Sequence, residues 1–189
     1  MTSKLTRLVP TSVVRLTMAL LLAIVTVPTA MAKSAREIDS GVRVTLEDSF
    51  YAIRGAREAA SKAAGILVFP SIVKGGFGIG GEYGEGALLV RGKTAGYYNS
   101  VSASIGFQLG LQQRSVIIMF MTQSALDQFR RTKGWKIGAD ASVAVITVGV
   151  GGAIDTNKLT SPVVGFVIDP KGLMYTLTLE GSKISRISR

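Results

Sequence analysis

The chain contains no cysteine and no histidine. Without cysteine there is no disulfide, no thiolate nucleophile, no thiolate metal site and no acylated N-terminal cysteine of the lipoprotein kind. Without histidine there is no Ser-His triad, no imidazole ligand and no ordinary near-neutral acid–base group. Acids are scarce too, 12 against 22 lysines and arginines, and there is one tryptophan. These shortages remove most hydrolase and metalloenzyme readings. Carboxylate and lysine chemistry remain, but no convergent set of such residues emerges. The expectation is a non-enzymatic protein with no metal and no cofactor.

A long hydrophobic run is also missing. The longest near the start, Leu16 to Val27, is twelve residues, and a membrane span needs roughly 20. Lys4, Arg7 and Arg15 precede or open it without any acid, Pro28 breaks it, and Ala30-Met31-Ala32 fits the small-x-small rule for cleavage. No Arg-Arg pair stands ahead of it. Residues 1–32 therefore read as a Sec-type signal peptide, with a membrane anchor as the competing reading. The expected product is periplasmic or secreted and peripherally membrane-associated.

Removal of that segment leaves 189 − 32 = 157 residues, 33–189, enough for one domain with a real core. Basic residues fall from 22 to 19 while all 12 acids remain, a charge of 19 − 12 = +7. Such a surface favours anionic partners. After export, lipid headgroups are the more available ones, and nucleic acid is not expected. Simple solubility is the blander account of the same charge.

Ser34 to Ala64 reads as helical. Ile38, Val42, Leu46, Phe50 and Ile53 recur every three or four residues, and Ala56, Ala60 and Ala64 continue the stripe. Gly41 and Gly55 are expected to bend or divide it. From Gly65 the texture becomes β. Ile66–Phe69, Gly75–Tyr83, Gly86–Arg91, Thr94–Leu111, Ser115–Met121 and Ala141–Val150 read as strands. Val163–Ile168 and Leu173–Leu179 read as a hairpin around Asp169-Pro170-Lys171-Gly172. Ser124 to Arg131 reads as a short helix capped by Ser124. The 22 glycines interrupt the strands and argue for strong curvature. The fold class is α+β: a curved, largely antiparallel sheet, or partial barrel, with an N-terminal helical segment and one short mid-chain helix.

Three motifs are set aside. Gly76 to Gly81 satisfies G-x-G-x-x-G, but a strand rather than a helix follows, with no acid about 20 residues on. Ala87 to Thr94 (ALLVRGKT) matches a relaxed P-loop pattern, but Leu88, Leu89 and Val90 are strand formers and Arg91-Gly92-Lys93 reads as a hairpin tip. Glu82 and Glu85 could be a carboxylate pair, but a spacing of three in a strand sends them to opposite faces. The glycine block is expected to be structural, with Phe77, Ile79 and Tyr83 burying one strand face. Trp135, between Lys133 and Lys136, reads as a cover for the core edge, with a membrane-interface anchor as the alternative.

The chain resembles the SYLF domain family of lipid-binding domains. The resemblance rests on AAGILVFPSIVKGGFGIGGEYGEGALLV, AGYYNSVSASIGFQLGLQ, FMTQSALDQF, GWKIGADASV and GLMYTLTLEGSKISRI, and spans Ala35 to the last residue. It implies non-enzymatic binding of phosphoinositides or other anionic phospholipids, on an α+β fold. Two departures stand out: the N-terminal helical segment carries five acids (Glu37, Asp39, Glu47, Asp48 and Glu58), and no cysteine is present for acylation. The headgroup candidates are Arg54, Arg57, Lys62 and Lys74. The alternative function is a structural or protein-interaction module of the cell envelope, with an envelope protein as partner.

Overall fold

The structure, a computed structural model, describes residues 32–106, 112–148, 160–168 and 181–189. All of the signal segment but Ala32 therefore lies outside the described residues. So do the Asp169–Gly172 turn, the Leu173–Leu179 strand and the side chains of Phe77 and Ile79.

Ser34 starts the first helix, α1 (Ala35–Ala52). Its hydroxyl accepts from the Glu37 N–H while the Glu37 carboxylate accepts from the Ser34 N–H, a complete capping box. The expected stripe is the buried one: Ile38, Val42 and Leu46 face inward, and Ile53 continues it past the helix end. The chain breaks there, because Ile53 is extended and Gly55 takes φ 88°, which only glycine adopts at little cost. Gly55 then caps α2 (Ala56–Lys62). Gly41, expected to bend the segment, does not interrupt α1. It instead makes room for Pro70, whose Cβ would sit 3.1 Å from an added methyl.

Seven strands follow among the described residues. They are β1 (Gly65–Val90), β2 (Lys93–Gly106), β3 (Gln112–Phe120), β4 (Trp135–Lys136), β5 (Ala144–Val148), β6 (Val163–Ile168) and β7 (Lys183–Ile187). They form one sheet in the order β4-β7-β2-β1-β3-β6-β5. Every pair is antiparallel except β5 with β6. The expected α+β class with a curved, largely antiparallel sheet is what the chain adopts.

β1 joins what read as three strands into one of 26 residues. Its first half pairs with β3 and its second with β2. A register shift between Phe69 and Ile72 absorbs Pro70, whose missing N–H a regular ladder could not use. Its halves then approach closely. A methyl on Gly84 would meet Ile72 Cγ1 at 2.7 Å and the Ser71 carbonyl at 2.8 Å, and one on Gly86 would press on Phe69 and the Val68 carbonyl. Glycine is required at both places because backbone, not a movable side chain, fills the space. The β1–β2 turn places Arg91 at φ 53° and Gly92 at φ 72°, the pattern of a tight hairpin, so ALLVRGKT is no phosphate loop.

The sheet carries a core on each face. On one, α1 and α2 cover Val68, Ala87, Ile117, Met119, Val164 and Phe166. On the other, α3 (Gln123–Arg131) drives Leu126 and Phe129 into a cluster with Leu67, Leu88, Tyr98, Phe120 and Trp135. Its N-cap is Thr122, not Ser124: the Thr122 side chain accepts from the Ala125 N–H at 3.2 Å. Phe129 is the hub, 4.9 Å from Tyr98, 4.8 Å from Phe120 and 5.3 Å from Trp135 between ring centroids, edge-on to the indole. Trp135 is 1% exposed, so it is a core residue and not an interface anchor.

Candidate functional site

The four residues selected from sequence do not come together. Arg54 lies exposed in the break between α1 and α2. Arg57 is exposed on α2 with its guanidinium over the Phe50 ring, 5.2 Å from the centroid. Lys62 donates to Glu58 at 2.7 Å, one helical turn back. Lys74 stands apart, half-buried on β1 and 3.9 Å from Glu82. It belongs with Ile72 on the α3 side of the sheet, whereas α2 packs on the opposite face. From Lys33 to Lys62 six basic residues meet five acids, a net charge of only 6 − 5 = +1.

Glu82 and Glu85 also separate, as the strand period requires. Glu82 accepts from Arg114 at 2.5 Å and from Ser102 at 3.2 Å. Both charged side chains are at least nine-tenths buried. Burial pushes the Arg114 guanidinium below its usual range while Glu82 opposes that shift. Arg114 Nε is buried without a partner. Glu85 lies on the other face, 4% exposed, accepting from the Lys33 backbone N–H at 3.0 Å, the Tyr83 hydroxyl at 2.7 Å and Arg189. Burial works against its ionisation, but these donors outweigh it and hold the carboxyl below its ordinary range. Neither carboxylate faces the other, so no acid–base pair is assembled.

A larger basic surface lies at the β4–β7 edge. α3 ends on Arg130 and Arg131, where cations suit the helix dipole. Lys133 follows, then Lys136 on β4, and β7 brings in Lys183 and Arg186; all six are exposed. The register sets Lys136 opposite Lys183, a like-charge pair that a sheet normally avoids. Gly134, at φ 68°, leaves room for the Lys183 stem. On the α3 face Arg186 and Arg130 both act electrostatically on the Tyr98 hydroxyl; burial raises that phenol and the two cations oppose the shift. Asp140 lies in this region, and its carboxylate accepts from the Lys136 N–H at 2.6 Å. None of the six has an ion-pair partner among the described residues.

The same register extends this surface into apolar ground. Tyr83 pairs with Val101, Val101 with Lys183, and Lys183 with Lys136. Directly opposed residues share a sheet face, so these four form one row across β1, β2, β7 and β4. Tyr83 is 43% and Val101 46% exposed, two of five such large hydrophobics among the described residues. Tyr83 therefore does not bury its strand face as expected, because its hydroxyl is held by Glu85 and its ring stays open. Sequence reading missed the patch because residues 130–136 and 183–186 are far apart in the chain, and the β7 strand was not expected. The lysines flanking Trp135 were the one available signal.

Residues 101–188 match the Ysc84 family, described as Las17-binding protein actin regulator. That stretch, 88 of the 189 residues, is similar to the family whose SYLF domain the sequence blocks resemble. The matched stretch contains the β7 and β4 cations and Val101. No curated protein matches the chain. No helix of the described residues is long and apolar enough to cross a membrane.

Proposed function

We propose that this protein is an exported, non-enzymatic domain that binds anionic phospholipid at an envelope membrane through the β4–β7 edge. The observation that carries the reading is the cross-strand row Tyr83–Val101–Lys183–Lys136 on one sheet face, with Lys133 and Arg131 exposed at the same edge and Arg130 and Arg186 on its α3 face. An aromatic ring and an aliphatic side chain held open beside unpaired lysines suit a headgroup boundary, where apolar groups enter the acyl region and cations meet phosphate. Two adjacent lysines in a sheet cost stability, and an anionic surface relieves that cost. Arg54, Arg57 and Lys62 form a second, weaker contact candidate because acids dilute their charge.

Co-sedimentation with phosphatidylcholine vesicles, with and without phosphatidylglycerol, tests this. Each cation near an anionic surface contributes about 1 kcal/mol. Reversal of Lys133, Lys136 and Lys183 to glutamate is expected to weaken binding to the anionic vesicles at least about tenfold. Wild-type binding that is equal for both vesicles, at low and high salt, would overturn the lipid reading. The second reading, a protein-interaction module, is supported by the family description, which names a Las17-binding protein and actin regulator. Its signature is protein that ignores vesicles yet cross-links to one envelope partner.

A further inference from the structure

We propose that Glu85 is a built-in receptor for the new N-terminus created when the chain is cut between Ala32 and Lys33, so that processing completes the fold. The inference rests on the export reading above, because it needs that cleavage. Hydrolysis of the Ala32–Lys33 bond consumes one water and leaves a carboxylate on Ala32 and an ammonium on Lys33. The Lys33 nitrogen is the atom that already lies 3.0 Å from Glu85 Oε2. In the uncut chain it is an amide with one N–H and no charge. In the cut chain it is a cation with three donors, beside a carboxylate that is 4% exposed.

The surroundings suit an ammonium better than an amide. Glu85 is approached by Tyr83 on its own strand and by Arg189 beyond β7. Across the β1–β2 ladder it faces Asn99, whose Oδ1 is buried with no hydrogen-bond partner. An amide with one hydrogen satisfies Glu85 alone, whereas an ammonium has two further donors to give. The capping box of α1 begins at the very next residue, with Glu37 already bonded to Ser34, so the position of Lys33 is fixed by the helix. Cleavage thus places a charge against a prepared acceptor and ties the start of α1 to the second half of β1.

The test uses three proteins: one beginning at Lys33, one with Gly-Ser ahead of Lys33, and the Lys33 form carrying Glu85→Gln. An amine paired with Glu85 titrates above the usual range of about 7.7–8.0 for a terminus. Its stabilisation is present below that range and lost as pH rises through the raised folded value. The Glu85 carboxyl is depressed from 4.5, so its share is present above that value and lost as pH falls. The Lys33 form is therefore expected to melt above the extended form by on the order of 2–4 °C near pH 6–7. The gap closes in strong base and strong acid, and Glu85→Gln abolishes it. Should that variant fail to fold, the Lys33 amine is titrated by NMR in the wild type after isotopic methylation. A value in the ordinary range, or equal melting of the two forms at pH 6–7, overturns the docking. Mass spectrometry of the exported protein is the separate arm: an N-terminus other than Lys33 overturns the processing step and the cleavage reading beneath it.

Discussion

Removing the charge of Glu82 should destabilise the protein more than removing Arg114, although the two form one ion pair. Both side chains are nearly buried, at 10% and 9% exposure, and Lys74 stands 3.9 Å from the same carboxylate. Breaking a buried pair leaves an uncompensated charge and typically costs about 3–5 kcal/mol. Glu82→Gln leaves two cations, Arg114 and Lys74, around a neutral amide, and it belongs near the top of that range. Arg114→Met leaves Glu82 with Lys74 and the Ser102 hydroxyl as partners, so it belongs near the bottom. The double variant removes the buried pair, and such replacements are often close to neutral. Its loss should therefore be smaller than that of Glu82→Gln alone, a coupling of at least about 2 kcal/mol. Urea unfolding of the four proteins measures this directly, provided that the slope is shared among them. Additive single losses, or a costlier Arg114→Met, would refute the reasoning, because the charges would then not share a poorly solvated site.

Gly86→Val should prevent stable folding or lower the melting temperature sharply, since the Val68 carbonyl and the Phe69 ring occupy the space its side chain needs; thermal denaturation followed by circular dichroism decides this. Phe129→Ala, at the centre of the aromatic cluster, should cost about 3–5 kcal/mol in urea, and a loss below 1 kcal/mol would mean that the cluster is not a packed core. Thr122→Ala should cost about 1 kcal/mol by removing the α3 cap, while Ser124→Ala should be nearly silent. Reversal of Arg54, Arg57 and Lys62 should weaken binding to anionic vesicles less than reversal at the β4–β7 edge, and the opposite ranking would move the contact to α2.

The elements legible in the sequence were those whose signals are local. The spacing of four between Ile38, Val42 and Leu46 marks α1, Gly55 marks its end, and Arg91-Gly92 marks a hairpin. β3 and β6 declare themselves as short apolar runs. What escaped depends on partners distant in the chain. β4 is two residues long and exists because Ile184 and Lys183 lie beside it. β7, with lysine, serine and arginine among its five residues, has no apolar alternation beyond Ile184 and Ile187, and it is a strand because β2 pairs with it. The charged surface shared that fate, since its cations meet only through the same pairings. The candidates Arg54, Arg57, Lys62 and Lys74 look like one cluster in sequence because the helix and strand carrying them are consecutive, yet the sheet lies between α2 and Lys74.

β1 has a consequence for how little of this chain could stand alone. The family match begins at Val101, midway along β2. Within that stretch β2 pairs with β7 and β7 with β4, while β3 pairs with β6 and β6 with β5. These are two three-stranded ribbons with no ladder between them among the described residues. β1 is the shared seam, hydrogen-bonded to one ribbon along its first half and to the other along its second. A fragment starting at Val101 would keep the ribbons but lose the seam, together with α1 and α2 that roof one face. Such a fragment should be unfolded or aggregation-prone, and adding back residues 33–100 as a separate chain should rescue it only by rebuilding both ladders at once.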